Sequence, residues 1–255
     1  MEARRLWRAL NRPNVFIKVP ATAEGLPVIQ QLISEGINVN ITLLFGLPRY
    51  RLVAAAYIAG IEARMNEGKS VEHVASVASF FVSRIDSLVD PLLEKLIAQG
   101  GKVADVAKRV RGQVAIASAM IAYQIYKEIF QSERFQNLAD RGARVQRLLW
   151  ASTSTKNPDY SDLKYVESLI ASDTINTVTV ETFDAYRSHG EPKARLEQDV
   201  EQAGWILQRL PELGISIDQV TQQLEDEGVE KFNQSFDKLM NSLTRKSVER
   251  QGVPS

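Results

Sequence analysis

The chain has 255 residues, 44% hydrophobic and 24% charged, with 31 basic and 31 acidic side chains and a formal net charge of +0. That is the composition of an ordinary globular protein with enough apolar material for a sizeable core, and the balanced charge gives no general drive toward nucleic acid or an anionic membrane. There is no cysteine and there are only two histidines, His73 and His189, which excludes disulfides and thiol chemistry and argues against a zinc centre or a Ser-His-Asp relay.

Met1–Trp7 reads as the middle of a helix with no cap before it. The run Asn14–Thr22 follows, with a strand expected over Val15–Val19 that is buried on both faces and has Lys18 inside it. A lysine is almost never fully buried unless something pairs with it or uses its amine. Desolvation would disfavour the ammonium form and free the amine to attack a carbonyl carbon. The alternative is a packed stem whose charged head reaches back to water. An amphipathic helix is expected over Glu24–Ser34, stopped by Gly36, and a second strand over Asn38–Leu44. Pro48 opens a helix to Met65, and a third strand is expected over Val77–Val82. Helices follow at Pro91–Ala98 and, after Gly100-Gly101, in one long run over Val103–Phe130, whose Tyr123, Tyr126 and Phe130 read as core contacts. Strands over Val145–Trp150 and Ile175–Val178 complete a set of about five. Lys193–Leu210 and Ile217–Leu243 read as helices covering the sheet. Alternating strands and helices argue for an α/β fold of parallel βαβ units in a single domain, residues 1–255. No signal peptide and no membrane-spanning apolar run is visible, so a cytoplasmic location is expected.

Chemistry in such folds sits at the C-terminal ends of the strands. The second strand places Asn38, Asn40 and Thr42 on one face, either as a site or as a buried polar cluster satisfied by its neighbours. Asn40 suits a substrate hydroxyl or carbonyl, and Thr42 suits a water. Arg84, beyond the third strand, offers a fork suited to phosphate, with Ser79 as a hydroxyl donor behind it; the alternative is an ion pair with Asp86 or Asp90. The run Trp150–Pro158 presents hydroxyls and Lys156 in a turn able to hold one phosphate group. Together these residues describe a phosphorylated carbonyl compound beside an amine nucleophile. No metal site or cofactor-binding pattern is visible, and imine chemistry requires none.

The segments Ile17–Thr22 and Glu35–Phe45 closely resemble the central motifs of transaldolases, and Trp150–Pro158 is similar to the longer bacterial branch. The resemblance runs from about Arg4 to Leu243. It implies a (β/α)8 TIM-type barrel and transfer of a dihydroxyacetone unit from sedoheptulose 7-phosphate or fructose 6-phosphate to an aldose phosphate, a step of the pentose phosphate pathway. It further implies that Lys18 forms the imine, Asn40 contacts the bound three-carbon unit, Thr42 positions the catalytic water, and Asn38 and Ser79 belong to the substrate site. Arg84, Ser154 and Lys156 are implied to hold the phosphate. The partners expected are sugar phosphates and a second copy in a possible homodimer, with no nucleic acid or membrane. The family also places an aspartate and a glutamate on strands upstream of the lysine strand, whereas 17 residues precede Lys18 here. The expectation is therefore an incomplete barrel of about five C-terminal βα units with extra C-terminal helices, read from an internal methionine or a fragment. Two other readings stay open: a class I aldolase that releases dihydroxyacetone, and an impaired remnant that only binds sugar phosphate.

Overall fold

The computed structural model describes residues 2–250. Five strands, β1 (Ile17–Pro20), β2 (Val39–Leu44), β3 (Ser76–Phe81), β4 (Arg147–Ala151) and β5 (Thr174–Asn176), form one parallel sheet in chain order. Parallel neighbours need crossovers, and helices supply them. Helix α1 (Glu2–Leu10) precedes β1, α2 (Gly25–Ser34) joins β1 to β2, and α3 (Leu47–Asn66) joins β2 to β3. Between β3 and β4 lie α4 (Ser83–Gln99), α5 (Gly101–Val110), α6 (Val114–Phe130) and α7 (Glu133–Ala139). After β4 come α8 (Lys164–Ser168), then β5, α9 (Val180–His189), α10 (Val200–Arg209) and α11 (Ile217–Arg250). Among the described residues, no strand pairs with the outer edges of β1 and β5, and no helix is long and apolar enough to cross a membrane.

The register fixes which residues share a face. Lys18 lies opposite Asn40, Asn40 opposite Val77, and Ser79 opposite Leu149. The alternate set, Ile17, Val19, Val39, Ile41, Ala78, Phe80, Leu148 and Trp150, enters one large core with the helices. Close approach of α2 and α3 depends on Gly60, where a Cβ would meet the Ile33 Cβ at 2.7 Å. The other face holds a small cluster made only of strand residues, Val77, Leu149 and Ala151 with Phe81 and Ile175 against it.

The expected strands appear within a few residues of their predicted bounds, but four expectations need correcting. The first strand is not buried on both faces: Ile17 and Val19 are buried while Lys18 and Pro20 are exposed, because helices cover only one side. The long helix expected over Val103–Phe130 is broken into α5 and α6 by Gly112 at φ +71°, where a Cβ would stand 2.6 Å from the Tyr160 hydroxyl. Helix α4 starts at Ser83, so the residues that continue the third strand in sequence form a first helical turn and Pro91 lies mid-helix. In the C-terminal third, only Val200–Arg209 of the helix expected over 193–210 forms. Helix α10 packs on α6, and α11 leaves Phe232, Phe236, Leu239 and Leu243 exposed.

Candidate active site

Lys18, Asn40, Thr42 and Ser79 share the face opposite the main core, Lys18 exposed, Asn40 half-buried and Thr42 and Ser79 buried, because strands alternate and the register sets β1, β2 and β3 side by side. Lys18 is directly across from Asn40 and forms no ion pair or hydrogen bond among the described residues. The desolvation expected at this amine is absent, since the side chain is exposed. Ser79 Oγ donates to Asn40 Oδ1 at 2.7 Å, which orients the amide and leaves its nitrogen without a partner among the described residues. Thr42 is 3% exposed, yet its hydroxyl has no hydrogen-bond partner among the described residues. Buried hydroxyls usually find one, and leaving one unmade costs ~1–3 kcal/mol, so Thr42 presents an unspent polar group beside the amine's strand.

Asn38 belongs elsewhere. Its amide nitrogen donates to the carbonyls of Pro13 and Val15, and its Oδ1 accepts the Ala75 N–H at 2.9 Å. With its hydrogen-bonding groups spent on backbone, Asn38 holds the approach to β1 and the start of β3 rather than facing a substrate.

At the C-terminal ends of the strands the backbone is strained in two places. Leu43 has φ +55° within a register shift between Ile41 and Leu44, and Ser152 has φ +55° just after β4. Left-handed backbone at a non-glycine residue costs roughly 1–2 kcal/mol, and bulges re-aim side chains next to functional sites. Ser83 N–H donates to the Ser152 carbonyl at 3.0 Å and the two hydroxyls meet at 3.1 Å, so the end of β3 and the end of β4 are tied together. Arg84 therefore starts from the same junction as the turn that carries Ser154 and Lys156. Its guanidinium lies over the Phe81 ring at 5.7 Å and has no carboxylate partner among the described residues. Lys156 Nζ donates to Ser154 Oγ at 3.2 Å, and Thr153 Oγ1 to the Thr177 carbonyl at 2.9 Å.

The ion pair considered for Arg84 with Asp86 or Asp90 does not form. Both aspartates are buried on α4 and bond to other elements. Burial raises the Asp86 carboxyl above its usual range, opposed by the Lys164 ammonium. A second pair that sequence reading missed joins Arg49 to Glu225 at 3.2 Å across α3 and α11. Burial raises Glu225 as well, with Arg49 opposing. Helix α11 also runs near Arg84: Glu227 is held below the usual carboxylate range by Gln223 first, then by Lys231, with Arg84 contributing least. The five strands contain no Asp or Glu, and among the described residues no His, Asp and Glu side chains assemble into a metal-holding group.

A sequence model of the family described as Transaldolase/Fructose-6-phosphate aldolase matches residues 1–243. The chain is 48% identical over 252 residues to a protein named Transaldolase from Trichodesmium erythraeum, and 49% identical over 252 residues to Transaldolase 2 from Nostoc punctiforme; each match covers 96% of this chain and 66% of the relative. A Transaldolase from Mycolicibacterium smegmatis is 44% identical over 243 residues, covering 95% of this chain and 64% of that protein. The chain thus spans a little under two thirds of the length of these relatives.

Proposed function

The chain belongs to the transaldolase/fructose-6-phosphate aldolase family, and on that premise we propose that it carries the carbonyl-capturing and phosphate-binding part of a transaldolase site. The Lys18 amine attacks the C2 carbonyl of a ketose phosphate, and loss of water from the carbinolamine gives an iminium ion. Loss of the C4 hydroxyl proton to water accompanies cleavage between C3 and C4, which leaves the electron pair of that bond on the enamine and releases an aldose phosphate. Attack of the enamine on the aldehyde of a second aldose phosphate, followed by hydrolysis, returns the amine. Asn40, oriented by Ser79, bonds hydroxyls of the three-carbon unit, and Thr42 holds the water lost and regained at C2. Arg84, Ser154 and Lys156 take the phosphate. The observation that carries the reading is the register that sets an unpaired lysine across from an oriented asparagine on a face the helices leave open.

The five strands are read as a sector of an eight-stranded barrel, with the edges of β1 and β5 as the positions where further strands pair. Because the strands carry no carboxylate, the acid–base assistance that typically contributes ~10²–10⁴-fold must come from outside them. Imine formation by this chain should therefore exceed its turnover. The exposure of Lys18 favours one second reading, in which water protonates the enamine and dihydroxyacetone is released, as in an aldolase. Incubation with fructose 6-phosphate, with and without erythrose 4-phosphate, tests both. Product that requires the acceptor supports transfer; dihydroxyacetone formed without it supports release; neither product, with no adduct trapped by borohydride, overturns the amine chemistry.

A further inference from the structure

Asp86 and Asp90 lie one turn apart on α4, 1% and 5% exposed. Each divides its two oxygens in the same way. One oxygen holds the start of α6: the Ala115 N–H donates to Asp86 Oδ1 and the Gly112 N–H to Asp90 Oδ1, both at 2.8 Å. The other reaches the segment after β4. Asp86 Oδ2 accepts from Tyr165 Oη at 2.9 Å and Lys164 Nζ at 3.1 Å, and Asp90 Oδ2 accepts from Tyr160 Oη at 2.7 Å. Lys164 closes the group, its ammonium 3.4 Å from the Tyr160 ring centre.

Every carboxylate oxygen of this cluster already accepts at least one bond, and the cluster adjoins the turn that carries Ser154 and Lys156. Lys156 and Asn157 line a cavity of about 230 Å³ together with Asp86, Asp90, Tyr160 and Tyr165. Thr155 Oγ1 donates to the Ser161 carbonyl at 2.8 Å, so the turn between Ser154 and Tyr165 is closed on itself as well as bound to α4. Arg84 is on the first turn of that same helix. Apolar residues can hold two elements together as well as a buried ion pair does; what directional bonds add is one fixed orientation.

We propose that Asp86 and Asp90, acting through Lys164, Tyr165 and Tyr160, are positioning residues that set Ser154 and Lys156 against Arg84 for a phosphate monoester. This rests on the sugar-phosphate reading above. The test is calorimetric titration of the full chain with fructose 6-phosphate, in the native form and in Tyr160→Phe and Asp90→Asn, with thermal midpoints and borohydride trapping of dihydroxyacetone measured alongside. Tyr160→Phe keeps the ring in place and is the variant that must fold. The expected result is a dissociation constant about tenfold higher in the variants, the scale of loss when an oriented contact becomes loose. Trapping of dihydroxyacetone, which has no phosphate, should be unchanged. Equal affinity in Tyr160→Phe overturns the positioning role and leaves the proposed function standing. Loss of affinity only in step with the thermal midpoint and with dihydroxyacetone trapping also overturns it, by reducing the cluster to a structural one. If the native chain does not bind fructose 6-phosphate, the positioning role falls with the phosphate site, whereas the Lys18 amine is judged separately by the dihydroxyacetone adduct.

Discussion

On the helix-covered side of the sheet, Val39, Ile41, Ala78, Phe80, Leu148 and Trp150 have no solvent exposure; on the other side the same strands carry Lys18, Asn40, Thr42, Ser79 and Arg147. The difference comes from strand alternation plus one-sided helix cover. It separates two jobs that often compete: stability is concentrated on one face, so the other can keep an amine and a hydroxyl that have no partner among the described residues. Function need not be bought with core packing.

That separation sets an order of expected effects. Ile41→Ala, on the covered face, should lower unfolding free energy by ~2–5 kcal/mol in a denaturant titration. Leu149→Ala, in the small strand-only cluster, should cost about 1–2 kcal/mol, because solvent and neighbours relax around it more easily. Equal costs at the two positions would mean that the open face is covered in solution. Thr42→Val removes a hydroxyl that has no partner among the described residues, so stability should stay within about 1 kcal/mol of the native chain. The rate of adduct trapping should fall about tenfold or more if the hydroxyl handles water at C2. A Thr42→Val protein that traps at the native rate would remove that residue from the chemistry.

The smallest effect belongs to a surface tie. Arg4 holds Glu35 with two bonds of 2.7 and 2.6 Å, joining α1 to the end of α2. The bonded Arg4 guanidinium depresses the Glu35 carboxyl to about 2. Since the folded value lies below the unfolded one, this contribution is present above the ordinary carboxylate range near 4.5 and is lost as pH falls from there through about 2. Protection of the α1 amides relative to their intrinsic exchange should fall over that window in the native chain, and in Glu35→Gln it should already be lower at neutral pH.

Much of this organisation was legible in the residues. Strand positions followed from β-rich runs between helical patterns, and the residue types of Lys18 and Asn40 marked them as site candidates, although only the register sets them side by side. What was not legible depended on what lies across space. A lysine between isoleucine and valine fits either a buried amine or a head that reaches water, and only the structure, with Lys18 exposed, decides between them. Asn38 shares the face of Asn40 by alternation, but its partners come from residues 13–15 and 75, which no local pattern links to it. Gly112 falls inside the helix expected over Val103–Phe130, and its left-handed φ of +71° and the Tyr160 hydroxyl against it are not visible in a local pattern. The pairing of Asp86 and Asp90 with Tyr160, Lys164 and Tyr165 was hidden because no helix was expected before Pro91; with α4 starting at Ser83, the two acids fall one turn apart on one face.

The most direct test is borohydride trapping of the intact chain with dihydroxyacetone, followed by mass spectrometry and peptide mapping. A single adduct is predicted at Lys18, lost in Lys18→Ala, with the variant's stability within ~0.5 kcal/mol of the native chain, as expected at an exposed position. An adduct that persists in Lys18→Ala, or the absence of any adduct from the native chain, would contradict the account.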